Sequence, residues 1–199
     1  MPFVGLTGGM GAGKSTALSA LERLGAAVLS SDAVVHELYA HDVQLRDAVV
    51  ERWGADVAPG GVVDRSAVAE RAFARPEERA WLEGLLWPLV GARVAAWLTD
   101  VRAGDPADGE RPRAAVVEVP LLFEAGQEGL YDATIAVISD ERLRHERASV
   151  RGHALVDERS ARQLSQPEKA RRATFVVRND GSEQELEQEL SAVLDKLKG

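Results

Sequence analysis

The chain of 199 residues suits one domain with small additions, and it is long enough to bury about 70% of its unfolded surface. It contains no cysteine, which excludes disulfides and thiolate metal sites and predicts a reducing, cytoplasmic environment. Its net charge of −8 argues against a general nucleic-acid binder, and no apolar run of the sequence is long enough to span a membrane.

Short apolar segments alternate with helical patterns along the chain. The predicted strands are residues 3–7, 26–29, 114–119, 133–138 and 174–177. The predicted helices are residues 14–24, 32–40, 43–52, 65–73, 76–99, 141–150, 157–164 and 182–197, with a break or kink at Pro88. Five apolar strands separated by helices indicate an α/β fold with a five-stranded parallel sheet, and the long helical stretch after the second strand indicates an inserted subdomain.

A glycine-rich loop follows the first predicted strand and precedes a predicted helix. Residues 8–15 read Gly-Gly-Met-Gly-Ala-Gly-Lys-Ser, which is the P-loop spacing. Lys14 is expected to bridge the β- and γ-phosphates of a nucleoside triphosphate, and the Ser15 hydroxyl is expected to ligate Mg²⁺. The residues predicted to bind ATP are Gly8, Gly9, Gly11, Ala12, Gly13, Lys14, Ser15, Thr16 and, from the turn after the last strand, Asn179.

Two carboxylates lie where predicted strands end, at the edge where parallel sheets bind ligands. Asp32 follows the second strand and could orient an acceptor hydroxyl for attack on the γ-phosphate, although it could equally cap the next helix. Glu118 ends the third strand and could contact Mg²⁺ or its water ligands.

The stretch from Arg142 to Arg172 is basic within an acidic chain. Arg144, Arg147 and Arg151 share one helix face and are followed by Gly152, a plausible hinge. This pattern favours a lid that closes over phosphates, with a solvated helix face as the alternative.

Several segments together are more specific than the P-loop. They are residues 5–16, Asp32, Asp64-Arg65, Phe73, Arg75 to Glu77, Leu82-Glu83, Trp87 to Val90, Val119 to Glu124, Arg147, Arg151, Arg162-Gln163, Glu168-Lys169, Phe175 to Val177 and Asn179 to Gly181. In these segments, from Val4 to Gly181, the chain resembles the dephospho-coenzyme A kinases.

The resemblance implies a three-layer P-loop NTPase fold in one domain over residues 1–199. Its parts would be a core at about 1–40, 113–139 and 173–199, a helical acceptor-binding subdomain at about 41–100 and a lid at about 140–170. It also implies a monomer that transfers the γ-phosphoryl group of MgATP to the 3′-hydroxyl of dephospho-CoA.

The resemblance also suggests roles for individual residues. Asp32 would orient the hydroxyl, and Arg147 and Arg151 would neutralise developing charge. Arg65, Pro120 and Leu121 would contact the acceptor. Three positions depart from the family pattern: Trp87 replaces a usual histidine, Ser30 replaces a frequent aspartate, and Thr174 stands where Ala-Asp is common.

Two alternatives stay open at this point. One is another small-molecule P-loop kinase that acts on nucleotides or shikimate-like acceptors. The other is a switch-type nucleotide-binding module, although the sequence contains no Asn-Lys-x-Asp motif of the kind that GTPases use for base recognition.

Overall fold

The structure, a computed structural model, describes residues 1–104, 111–144 and 163–197. By packing, the chain divides into two units. The first contains Met1–Ser30 and the described residues from Asp100 onward, and the second is Ser31–Thr99. The second unit includes the helix after the second strand, which the sequence analysis assigned to the core.

A five-stranded parallel sheet forms the centre of the first unit. Its strands are β1 (Phe3–Gly8), β2 (Ala27–Ser30), β3 (Ala115–Glu118), β4 (Ala133–Ile138) and β5 (Phe175–Arg178). They lie in the order β2-β3-β1-β4-β5, so the strand before the glycine-rich loop is central. The predicted parallel sheet is confirmed, with strand ends that differ from the predicted ones by at most one residue.

Both faces of this sheet are covered. Val4 and Leu6 of β1 are fully buried in a cluster with residues of α1 (Lys14–Arg23) and of the C-terminal helix Glu183–Lys196. On the opposite face a Cβ at Gly5 would overlap Leu122, which comes from the segment after β3. The α/β architecture with layers on both sides of the sheet is therefore confirmed, and burial of each large apolar side chain contributes about 1.5–3 kcal/mol.

The helix Gln166–Arg172 was missed in the sequence analysis. Its start carries an available signal, because Ser165 caps it and accepts a hydrogen bond from the Glu168 amide. We number it α6, and the C-terminal helix Glu183–Lys196 is α7. Of the two helices predicted before it, residues 141–144 are helical as expected, whereas Gln163 and Leu164 are not helical. The remaining residues of these two predictions lie outside the described residues.

The second unit is helical. It contains α2 (Ser31–His41), α3 (Val43–Trp53), α4 (Arg65–Phe73) and most of α5 (Pro76–Ala103). The Glu78 carboxylate, 6% exposed, joins α5 to α3 by accepting two hydrogen bonds from Arg52, each 3.0 Å, and one from Trp53 Nε1 at 2.7 Å. These donors, Arg52 first, hold the pKa of Glu78 below its usual value.

The predicted break at Pro88 does not occur, because α5 runs without interruption from Pro76 to Ala103. Proline loses one helical hydrogen bond, which would otherwise join its nitrogen to the carbonyl of the residue four positions earlier, Gly84. Both Pro88 and Gly84 are exposed, so water can satisfy that carbonyl. Within the described part of the chain, no helix combines the length and the apolar character needed to cross a membrane.

Candidate active site

The glycine-rich loop connects the central strand β1 to α1. Gly13 is the N-cap of α1 with a φ of 91°, and Gly11 has a φ of 72°. Side chains rarely adopt this left-handed region, so both positions favour glycine. At Gly8 the reason is space, since a Cβ would overlap the Val137 carbonyl oxygen of β4. The loop therefore has a backbone conformation that requires glycine at these three positions, as its sequence predicts.

Lys14 lies over this loop. Its Nζ donates hydrogen bonds to the carbonyl oxygens of Gly8 at 3.0 Å and Gly9 at 3.2 Å. The next two residues form the first turn of α1, where Ser15 is exposed and Thr16 is half-buried. The loop amides, the helix N-terminus and the Lys14 ammonium thus form a positively polarised pocket of the kind that binds phosphates.

Asn179 supports the loop from the end of β5. Its side-chain amide, nearly buried, donates to the Ala12 carbonyl at 2.9 Å, and its own backbone amide donates to Ile138 at 2.9 Å. The structure thus places Asn179 against the phosphate loop. Its predicted contact with the nucleotide stays a prediction.

Glu118 is the last residue of β3, which lies between β1 and β2 in the sheet. The register pairs it with Leu6 of β1 on one side and with Ser30 of β2 on the other. The carboxylate is 7% exposed and accepts a hydrogen bond from the Ser30 hydroxyl at 3.0 Å. Ser30, a departure from the family pattern, therefore supplies a donor where an aspartate would supply a second negative charge.

The donors at this sheet edge are hard oxygens, which suit Mg²⁺. They are the Glu118 carboxylate and, by sequence, the Ser15 hydroxyl. Among the residues that the structure describes, no group of three or more His, Cys, Asp or Glu side chains could hold a metal ion. A Mg²⁺ ion held by one carboxylate together with substrate phosphates, as is common for nucleotide kinases, fits this donor set.

Pro120 lies two residues after Glu118 and links the segment after β3 to β1. Its carbonyl accepts hydrogen bonds from Thr7 Oγ1 at 3.3 Å and from Lys169 Nζ at 3.0 Å. Leu121 comes next and is half-buried. The predicted contacts of Pro120 and Leu121 with the acceptor stay predictions. The segment that carries these two residues is hydrogen-bonded to Thr7, the residue before the glycine-rich loop.

Lys169 of α6 is completely buried and was not predicted as a site residue. Its Nζ lies 2.8 Å from Glu124 Oε1, and that oxygen also accepts from the Leu164 amide at 2.7 Å. Burial lowers the pKa of Lys169, and the Glu124 carboxylate acts in the opposite direction. The sequence did contain a hint of this role, since Lys169 belongs to one of the segments that carry the family resemblance.

Two further side chains contact the loop at Met10. Arg144 Nε donates to the Met10 carbonyl at 3.0 Å, and the Met10 amide donates to Gln163 Oε1 at 3.1 Å. Arg144 belongs to the predicted arginine face. Arg147 and Arg151, the other two members of that face, lie outside the described residues.

The predicted acceptor residues of the second unit share one region of that unit. Asp32 is exposed in the first turn of α2, and His36 follows one turn later. Arg65 begins α4, and its Nη1 lies 2.8 Å from His36 Nε2. The sequence analysis overlooked His36, since a lone histidine carries no spacing signal. Trp87 of α5 is 49% exposed.

The phosphate loop on a central parallel strand, with the donors around it, defines a nucleotide-binding protein of the P-loop class. The family model described as dephospho-CoA kinase matches residues 2–185. The chain belongs to the dephospho-CoA kinase family, and it is a phosphotransferase of the P-loop class.

Individual relatives agree with this assignment. The dephospho-CoA kinase of Deinococcus radiodurans is 39% identical over 197 residues, which cover 98% of this chain and 91% of that protein. The crystal structure of TT1252 from Thermus thermophilus has a TM-score of 0.78 and 33% identity, and covers 100% of this chain and 99% of its own. The dephospho-CoA kinase from Campylobacter jejuni, with a TM-score of 0.68, 21% identity and coverage of 98% and 96%, supports the fold.

Proposed function

We propose that this kinase transfers the γ-phosphoryl group of ATP to the ribose 3′-hydroxyl of dephospho-CoA, the final step of coenzyme A biosynthesis. The 3′-oxygen forms a bond to the γ-phosphorus while the bond from that phosphorus to the β,γ-bridging oxygen breaks. The products are coenzyme A, ADP and the proton of the hydroxyl. The observation that carries the proposal is the Lys14 phosphate loop in a chain that matches the family over residues 2–185. A kinase for nucleotides or shikimate-like acceptors is not favoured by these comparisons.

On the nucleotide side, amides of the loop from Gly8 to Gly13 would bind phosphate oxygens, apart from those of Met10 and Ala12, which donate to Gln163 and Gly9. Lys14 would exchange its bonds to the Gly8 and Gly9 carbonyls for bonds to the β- and γ-phosphates. Ser15 and, through water, Glu118 would hold Mg²⁺, which neutralises charge on the β- and γ-phosphate oxygens when it is bound. Thr16 and Asn179 complete the proposed nucleotide contacts.

On the acceptor side, Asp32 would accept a hydrogen bond from the 3′-hydroxyl and orient its lone pair. Orientation suffices, because phosphoryl transfer through a loose transition state needs little deprotonation of the nucleophile. Arg65 suits an anionic acceptor, since its guanidinium presents several donors to phosphate. Pro120 and Leu121 would contact the acceptor from the loop after β3.

Arg147 and Arg151 would neutralise the charge that develops on the transferring group. We further propose that the enzyme acts as a monomer in the cytoplasm, where ATP is abundant.

The test is ADP release measured in a coupled assay, with ATP, Mg²⁺ and one acceptor at a time. Dephospho-CoA should stimulate ADP release, whereas AMP, CMP and shikimate at equal concentration should leave the background rate unchanged. A larger stimulation by any of the three other acceptors would overturn the proposed substrate. Product analysis by mass should show one added phosphoryl group on dephospho-CoA.

A further inference from the structure

The Met10 peptide groups in the phosphate loop are held from two sides. Its carbonyl accepts from Arg144 Nε at 3.0 Å, and its amide donates to Gln163 Oε1 at 3.1 Å. The two side chains come from different parts of the sequence, one after β4 and one before α6. The peptide groups at Met10 are therefore set by tertiary contacts as well as by the loop itself.

Gly11, on one side of Met10, makes room for the backbone of Arg144, because a Cβ at Gly11 would overlap the Arg144 carbonyl oxygen. On the other side, a Cβ at Gly9 would make an ordinary contact of 3.4 Å with the Arg144 guanidinium carbon. The same glycines give the loop its conformational freedom, since glycine populates more backbone conformations than any other residue. A loop of this kind needs outside contacts to favour one conformation.

Gln163 lies next to a residue that is bonded to a buried ion pair. The next residue, Leu164, donates its backbone amide to Glu124 Oε1 at 2.7 Å, and that carboxylate pairs with the fully buried Lys169. The backbone position of Gln163 is thus tied to the core beneath the sheet edge. Its side-chain oxygen can hold the Met10 amide in place.

We propose that Gln163 and Arg144 are positioning residues for the ATP site, which act by holding Met10 so that the neighbouring loop amides face the triphosphate. This inference rests on the proposed function in one respect, namely that the loop binds ATP. Preorganised amides stabilise bound phosphate and developing charge because they need no reorganisation when the ligand arrives. Loss of either contact releases the loop and weakens ATP binding.

The first experiment compares Gln163→Met with Gln166→Met. Both variants replace glutamine by an apolar side chain of similar length, but Gln166 bonds the Ser139 backbone after β4 instead of the phosphate loop. Gln163→Met should raise the dissociation constant and the KM for ATP about tenfold, which corresponds to about 1.4 kcal/mol. Its KM for dephospho-CoA should stay at the wild-type value. Gln166→Met should lower the melting temperature without this selective change in ATP affinity.

The second experiment separates the hydrogen bond of Arg144 from its charge. In Arg144→Gln the amide nitrogen stands at the same bond distance from the backbone as Arg Nε, so it can still donate to Met10. Arg144→Met has no donor. Titration calorimetry with ATP should therefore give nearly wild-type affinity for Arg144→Gln and several-fold weaker affinity for Arg144→Met. Equal losses in the two variants would show that the charge acts directly and would overturn the positioning role.

The outcomes distinguish this inference from the proposed function. Wild-type protein that binds ATP but does not phosphorylate dephospho-CoA would contradict the proposed substrate and leave the ATP-affinity comparison intact. Unchanged ATP affinity in Gln163→Met, or parallel increases in both KM values, would overturn the inference while the proposed reaction stands.

Discussion

The Ser30 hydroxyl donates a hydrogen bond to the Glu118 carboxylate at 3.0 Å, from residues that the parallel register places directly beside each other. An aspartate at this position of β2 would bring two carboxylates together at a nearly buried site. Like charges in such a pair destabilise each other. With serine at this position, β2 places a hydroxyl beside Glu118 instead of a second carboxylate.

Ser30→Asp should therefore lower the melting temperature at pH 7 more than Ser30→Ala does. Ser30→Ala removes only a hydrogen bond to a charged group, which costs about 1.5–3 kcal/mol. Added Mg²⁺ should stabilise Ser30→Asp more than Ser30→Ala, because a cation between two carboxylates offsets their repulsion. Differential scanning fluorimetry with and without Mg²⁺ measures both effects. Wild-type stability of the Ser30→Asp protein without Mg²⁺ would contradict a repulsion between the two carboxylates.

Lys14→Ala should lower kcat/KM by roughly a hundredfold or more, equivalent to about 3 kcal/mol of transition-state stabilisation. The melting temperature should hardly change, since Lys14 is only half-buried and its Nζ donates to carbonyls of the loop instead of packing in the core. Lys196→Ala, at the exposed end of α7, is the matched control and should keep wild-type kinetics. Near-normal turnover of folded Lys14→Ala protein would refute the assignment of the phosphate loop.

Asp32→Asn should lower kcat strongly while the dissociation constant for ATP stays close to wild type. Asparagine keeps the size of aspartate but removes the charge that would orient the acceptor hydroxyl, and Asp32 lies inside α2, so no N-cap is lost. Asp56→Asn, an exposed aspartate of the same unit, serves as the control. A collapse of ATP affinity in Asp32→Asn would assign Asp32 to the nucleotide side instead.

Lys169→Met should destabilise the protein by about 3–5 kcal/mol, because it leaves the Glu124 carboxylate buried without its cation. The double variant Lys169→Met with Glu124→Leu should recover part of this loss, since it removes the unpaired charge as well. Urea denaturation of both variants measures the two free energies of unfolding. If the double variant were no more stable than Lys169→Met alone, the unpaired Glu124 charge would not be the source of the effect.

Because the Tyr131 phenol is partly buried, we expect the protein to lose stability at alkaline pH. Burial raises its pKa from 10.0 to about 12, so the unfolded chain loses the phenol proton first. The stability from the neutral phenol is complete below pH 10 and disappears as the pH rises to about 12, a loss of at most about 3 kcal/mol. Tyr131→Phe should therefore lose less stability than wild type between pH 8 and pH 11 in urea denaturation. Equal losses in the two proteins would contradict a buried neutral phenol.

Most of the sheet and the phosphate loop could be predicted because their signals are local. Runs such as Ala133 to Ile138 are apolar throughout, as strands buried on both faces must be, and the structure gives that strand the predicted bounds. The α6 helix was missed although Ser165 and Glu168 provide a capping signal, because seven residues carry little periodicity. At Pro88 a break or a kink was predicted; the helix is not broken, since proline in an exposed helix can be tolerated, and the kink stays a prediction.

By itself, the sequence determined the order of strands and helices, the phosphate loop with Lys14, and the family, since each depends on neighbouring residues or on a fixed spacing. Only the tertiary structure decided which side chains meet across long separations. Gln163 reaches Met10, Lys169 reaches Glu124 and Thr7, and Ser30 bonds Glu118 through contacts between residues that are far apart in the chain. Such contacts depend on the register of parallel strands and on the path of the connecting segments. No local pattern of residues encodes either of these.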